Sequence, residues 1–248
     1  MNYFKSEHYR LMRRKELFVT VSVSLGFVIA AVCALYFSLQ ADARFTYGTN
    51  RFLYINVLSS FQVILLVGLL IGRQLLGQST LVVKQSVAFG ITRNRIFFTK
   101  LVLTLAVFLL VCFVGILIVL LGGENLLTAD RVARQQFLIS VVNFIPWAVS
   151  GFVLGYTLMI LIRNEIVGVC VTMVLFSGIF SNITSVVEQA LFKRTVLSPL
   201  LPGALIEQSN TNFLLNKATV TAENWLVGCV IILVSVSIGA ALYNKKNF

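Results

Sequence analysis

The groups in this chain that could do chemistry collect in one place. Between two apolar stretches lies a polar, basic island, residues 73 to 100, with Gln85-Ser-Val-Ala-Phe-Gly-Ile-Thr-Arg-Asn-Arg-Ile-Phe-Phe-Thr-Lys100 at its heart. Basic and aromatic side chains gathered in a short stretch suit recognition of another macromolecule. Bond-making chemistry would need an acid, a base and a nucleophile together, and no such set stands out.

Several reactions are excluded by residue type. His8 is the one histidine, so neither an HExxH pair nor a multi-histidine metal site can form. No lysine follows a glycine, so the phosphate-binding pattern GxxxxGK(S/T) is missing and ATP cannot be bound by that route. Ser150-Gly151 has no histidine nearby in the apolar runs to act as its base. Cys33, Cys112, Cys170 and Cys229 all fall within apolar runs and read as small packing residues. The residues therefore point to a non-enzyme with no metal or cofactor of its own.

Composition decides the class. Apolar residues make up 58% of 248, charged residues 12%, and the mean hydropathy is +0.92. A soluble domain carries about 25% charge. Six runs, near 17–39, 53–72, 101–121, 137–162, 166–183 and 225–243, suit crossing a core that takes about 20 helical residues. Helices satisfy their own backbone groups in lipid, so the expected fold is all-α, integral to a membrane, and a single domain over 1–248. The first run exceeds a signal-peptide core of roughly 7 to 15 residues, which predicts a retained span.

Six spans put the N-terminus, the 73–100 segment, the 163–165 turn and the C-terminus on one side. That side carries 13 Lys and Arg and the other 7. By the positive-inside rule both termini are cytoplasmic and the chain is a multi-pass cell-membrane protein. The net charge of +11 then reads as topology and attraction to anionic lipid, not nucleic-acid binding.

The connecting segments carry further signals. Residues 1–16 hold an amphipathic helix, with Phe4, His8, Leu11 and Met12 toward one face and Arg10, Arg13 and Arg14 on the other. It reads as an interfacial helix, or as an ordinary positive-inside flank. In the island, Ser79 can cap a helix through Phe89, Gly90 can stop it, and Thr92 can open the third span. The alternative is a basic loop required only by topology. Phe45, Tyr47, Phe52 and Tyr54 suggest an aromatic belt, with Trp225 in the same role at the last span. The outer segment 184–224 contains Pro199 and Pro202 in an apolar stretch and suits short helices dipping into the leaflet.

Mildly polar residues recur inside two runs: Asn56, Ser59, Ser60 and Gln62 in the second, Thr172 and Ser177 in the fifth. They read either as the lining of an uncharged cavity, suited to amphipathic or hydrophobic cargo, or as helix–helix hydrogen bonds. Gly68 and Gly72, and Gly151 and Gly155, each place two glycines on one helix face, for internal packing or a subunit interface. Pro146 predicts a kink in the fourth span. No charged residue lies well inside a run; Glu16, Lys100 and Glu165 stand at edges. Ion-driven transport loses support accordingly.

Six runs, the basic opening Phe4-Lys-Ser-Glu-His-Tyr-Arg-Leu and the segment Ala88-Phe-Gly-Ile-Thr-Arg-Asn-Arg-Ile-Phe-Phe-Thr-Lys100 together resemble type-2 ABC exporter permeases. The likeness covers the whole chain in layout and those two places in sequence. It implies that the island is a coupling helix seated in a separate ATPase, through Lys84, Gln85, Ser86, Phe89, Gly90 and Arg93. It implies that Arg163, Asn164 and Glu165 touch the same partner, and that Val186 to Leu205 forms re-entrant outer helices. Two permeases, identical or paralogous, would work with two copies of an ABC ATPase, and ATP and Mg would bind there. Small size and short outer loops are similar to Gram-positive exporters of amphipathic peptides, such as phenol-soluble modulin export and lantibiotic immunity permeases. That likeness implies a bacterial plasma membrane. The rival expectations are an ion-driven secondary transporter or channel, or a membrane immunity or sensor protein that transports nothing.

Overall fold

The computed structural model describes residues 3–42, 45–76, 85–162, 165–193 and 197–245. Its named elements are all helical: α1 Tyr3–Met12, α2 Lys15–Ala41, α3 Asn50–Ser59, α4 Phe61–Arg73, α5 Arg93–Asn125, α6 Arg131–Leu161, α7 Glu165–Leu175, α8 Gly178–Phe192, a 3-10 turn Ser198–Leu200, α9 Pro202–Leu214 and α10 Ala222–Lys245. Four helices, α2, α5, α6 and α10, are long and apolar enough to cross a membrane. Counting the bent pairs α3–α4 and α7–α8 as one span each raises the number to six.

The expected second and fifth spans are broken. Between α3 and α4 the chain bends by 54°, and between α7 and α8 by 61°. The cause is local. Ser60 Oγ donates to the Asn56 carbonyl at 2.7 Å and Asn56 Nδ2 to the Phe52 carbonyl at 2.7 Å, so side chains compete for the carbonyls of α3. At the other break Ser177 turns extended, and its hydroxyl donates to the Val174 carbonyl at 2.7 Å. The backbone of Ser177 there receives Gly203 of α9, where a Cβ would collide with the Ser177 carbonyl. The fifth run also continues as α8 to Phe192, well past its expected end at 183.

The third helix opens after Thr92, as its sequence suggests, so it extends well ahead of the apolar run at 101–121. With no breaker after Thr92, helix α5 begins at Arg93 and carries Arg93, Arg95 and Lys100 within it. α6 is continuous through Pro146, whose ring meets Gly228 of α10; a Cβ there would lie 2.7 Å from it.

The face of α1 also differs from expectation. Its buried stripe is Tyr3, Glu7 and Leu11, while Phe4, His8 and Met12 are exposed. The reason is a hydrogen bond within the stripe. Tyr3 Oη donates to Glu7 Oε1 at 2.7 Å, so an acidic residue turns inward between two apolar ones. Tyr54 is not a belt residue either, being buried and stacked on Phe137 at 4.4 Å, whereas Phe45, Tyr47 and Phe52 do cluster.

α6 is the hub of the packing, meeting α10 most extensively, and α4 docks on its glycine face. Leu65 and Leu69 of α4 fill the space over Gly151 and Gly155 of α6. In return Phe152 and Tyr156 of α6 lie over Gly72, and Phe108 of α5 over Gly68. Phe108, Phe152 and Tyr156 form a ladder with ring spacings of 5.3 and 6.1 Å, each such pair contributing about 0.5–1.5 kcal/mol.

The connecting segments gather in two groups. Asn50 N donates to the Thr128 carbonyl at 3.1 Å and Thr128 N to that of Gly48 at 3.0 Å, joining the α2–α3 and α5–α6 loops. Asn143 clamps the backbone of Thr219 and Thr221, and Gln136 accepts from Ala218 N. At the other end Arg73 pairs with Glu165 at 2.6 Å, and Arg93 donates to the Asn244 carbonyl at 2.6 Å. These are the two sets that the charge count assigns to opposite sides.

Gly155→Leu is expected to lower stability by about 1–3 kcal/mol, since Leu69 and Thr172 occupy the space its side chain needs. Thermal unfolding in detergent measures this; an unchanged midpoint would mean that α4 and α6 are not in contact as described.

Candidate functional site

The island ends in a defined turn. Gln85 to Ala88 are helical, and the chain then reverses. Gly90 N donates to the Val87 carbonyl at 2.9 Å and Ile91 N to that of Ser86 at 3.1 Å. These two bonds form a Schellman motif, which needs a left-handed residue at its end, and Gly90 supplies φ +80°. The motif aims Phe89 outward, 86% exposed, with open space around Gly90. Thr92 follows as the residue before α5, without a side-chain capping bond.

Two further connections brace this turn. Arg93 reaches Asn244 at the end of α10, and Arg73, where the island starts, reaches Glu165 at the start of α7. Of the expected contact residues, Gln85, Phe89 and Gly90 are exposed, Arg93 and Glu165 are half-buried, and Ser86 is buried. The structure therefore joins the island to the α6–α7 turn through one ion pair. Lys84, Arg163 and Asn164 lie outside the described residues, as do Ser79, Arg44, Arg194 and Lys246.

Beneath the turn lies a polar cluster that the sequence reading missed. Glu7 is 2% exposed and accepts from Tyr3 at 2.7 Å and from Arg10 at 3.3 Å. Lys100 is 2% exposed, with Nζ donating to the Leu75 carbonyl at 3.1 Å. Burial, then donation to Glu7, raises the Tyr3 phenol well above its ordinary range, so it stays a donor. Burial lowers the Arg14 guanidinium. The signal was the spacing: Ile96, Phe97, Lys100, Leu101, Thr104 and Phe108 are all buried on one stripe of α5. That stripe carries Lys100 inward along with its apolar neighbours.

A cavity of about 370 Å³ lies among α2, α3, α4, α5 and α6. Of the six polar residues expected to line one, Asn56 and Ser60 do. Ser59 is exposed and Gln62 half-buried, and neither lines the cavity. Thr172 is buried against Gly155, bonded to the Gly168 carbonyl. Ser177 is held in the α7–α8 break against Gly203. The last two are set by helix packing, which puts them away from the void. Apolar side chains from Leu25 to Ala148 supply nearly all of the remaining wall, and no charged side chain lines it.

Among the described residues no group of His, Cys, Asp and Glu is arranged to hold a metal. Comparison with family models, with curated proteins and with solved structures returned no match.

Glu7→Ala is expected to loosen α1 as a helix, since both bonds of the carboxylate, to Tyr3 and Arg10, lie within α1 and a charge-assisted bond to a buried carboxylate is worth about 1.5–3 kcal/mol. Trypsin cleavage beside Arg13 and Arg14 in proteoliposomes should speed up roughly tenfold, matching that loss. Glu7→Gln should show less. Unchanged cleavage in the alanine variant would assign the docking of α1 to Leu11 and Tyr3 packing alone.

Proposed function

We propose that this chain is the membrane-spanning subunit of an ATP-driven exporter, resembling type-2 ABC permeases, and that it moves amphipathic or hydrophobic cargo. It crosses the bilayer six times, α3–α4 and α7–α8 each counting as one bent span, with both termini in the cytoplasm. The observation that carries the reading is the Phe89 turn: a large apolar side chain held outward, on a polar and basic segment between two apolar runs, by a fixed backbone motif. An aromatic ring held out by a fixed turn suits a partner's pocket, as interface anchors do.

The engine would be an ABC ATPase, two copies serving this chain and a second permease, identical or paralogous. Its closure would push on Gln85 to Gly90 and, through Arg73–Glu165, on the start of α7. The bent spans would then shift, and the cavity would change the side from which it is reached. A bacterial plasma membrane suits this arrangement. A second reading, ion-driven transport, draws on the buried Glu7 and Lys100, because ionisable groups inside a bundle are a common means of coupling protons.

Phe89→Asp should weaken the ATPase complex by about 2 kcal/mol or more, as an anchor residue does. Cargo-stimulated ATP hydrolysis should fall at least tenfold, with membrane insertion intact. An ATPase subunit should co-purify with the unaltered chain in mild detergent. Uphill transport by this chain alone in liposomes, driven by a proton gradient, would overturn the ATP-driven reading in favour of the second.

A further inference from the structure

The cavity among α2, α3, α4, α5 and α6 has dimensions that select its occupant. On α5 its wall runs from Phe108 to Val119, roughly 16 Å at 1.5 Å per residue. Spread over that length, about 370 Å³ open to the centre of a water molecule gives roughly 23 Å², or about 8 Å between wall surfaces once a radius of about 1.4 Å is added on each side. A helix with its side chains is about 10–12 Å across, so neither a helix of a second copy nor a helical peptide fits inside. One methylene chain does fit, since non-bonded carbons pack about 4 Å apart.

The wall chemistry agrees. Its polar residues Ser24, Asn56 and Ser60 donate to the Val21, Phe52 and Asn56 carbonyls of their own helices, at 2.9, 2.7 and 2.7 Å. These donors are turned back on their own helices, and no charged side chain lines the wall. The rim carries the exposed side chains Phe27, Val63, Leu109 and Ile145, so the opening faces whatever surrounds the apolar helices. In a membrane that is hydrocarbon.

We infer that this cavity is a binding site for one acyl chain of a bilayer phospholipid, which enters sideways from the membrane. The inference rests on the membrane-spanning reading of α2, α5 and α6 and stands independently of any ATPase. It replaces a general expectation of apolar cargo with a lipid tail and a lateral route.

Gly115 makes the site testable without disturbing the fold. It lines the cavity, and a Cβ placed on it meets nothing within 4 Å, so a larger side chain grows into the void. Gly26 of α2 is equally unobstructed but does not line the cavity, and so serves as control. The probe is phosphatidylcholine carrying a mid-chain diazirine, in phosphatidylcholine–phosphatidylglycerol vesicles with the full chain. After photolysis, adducts are mapped by mass spectrometry on two faces of α5. Cys112 and Ile116 face the cavity; Leu110 and Phe113 are exposed on the outside.

Adducts are expected on both faces. Gly115→Phe should lower those on Cys112 and Ile116 severalfold and leave Leu110 and Phe113 unchanged, and Gly26→Phe should alter neither face. Adducts confined to Leu110 and Phe113 overturn the inference, as does cavity-face labelling that Gly115→Phe leaves intact. Protection of Cys112 and Ile116 by a second copy, seen as cross-linked dimers of the chain, also overturns it. If Gly115→Phe abolishes cavity labelling while ATP-driven peptide transport continues, the lipid site stands and the cavity is not the cargo path. If transport is lost although the cavity face never labels, the lipid site falls and the cargo reading survives.

Discussion

The contact on which the rest of the molecule depends is the reciprocal filling of glycine faces between α4 and α6. Leucines of α4 sit over Gly151 and Gly155, and aromatic rings of α6 sit over Gly72. In hydrocarbon, apolar burial drives no helix together, because lipid tails are as apolar as leucine; close packing has to do it. Glycines therefore matter here as places where a neighbour's side chain can enter. The Phe108 ring over Gly68 extends the same device to α5. This three-helix unit gives the shorter, broken elements something fixed to rest on.

The breaks follow from the same physics. A backbone group exposed to lipid is costly, so a helix can bend at membrane depth only where side chains or neighbouring helices satisfy what it frees. At one bend Ser60 and Asn56 bond back to carbonyls of α3, and at the other Ser177 bonds back to that of Val174, with Gly203 of α9 packed against the Ser177 backbone. The two bends are in contact: Phe61, just after the first, lies 6.4 Å from Phe176, just before the second, and 5.5 Å from Phe144 of α6. Within α8, the buried Glu188 carboxylate accepts from Leu197 N, Ser198 N and Ser198 Oγ, which fixes the turn leading into α9. Polar residues at these levels thus shape the backbone more than they line a passage.

This explains what could be read from the residues and what could not. Four long apolar helices were legible because length and hydropathy alone define them. The Gly90 stop was legible because only glycine takes a left-handed turn without strain. The bends were not, since serine in an apolar run looks the same whether it bonds across helices or back to its own carbonyl. The inward face of α1 was hidden for a related reason. Hydrophobicity favoured Phe4, His8, Leu11 and Met12, yet the face turned inward carries Tyr3, Glu7 and Leu11, with the buried carboxylate satisfied within the helix by Tyr3. Lys100 was placed at a span edge by counting apolar residues, although its register on α5 puts it inside. Of the candidate cavity residues, Asn56 and Ser60 were recoverable from sequence, while the apolar wall, which sets shape and volume, needed the three-dimensional packing.

The polar foot and the three-helix unit meet at Lys100. Its ammonium is bound to the Leu75 carbonyl just past α4. That bond ties α5 to the chain leaving α4, while Glu7 stays bonded within α1 to Tyr3 and Arg10. Arg73 and Arg93 add links from the same region to α7 and α10. Arg93, four residues after Phe89, thus ties the exposed turn to the end of α10, while Arg73 ties the end of α4 to the start of α7, so each bent pair is held at this end by a charged side chain.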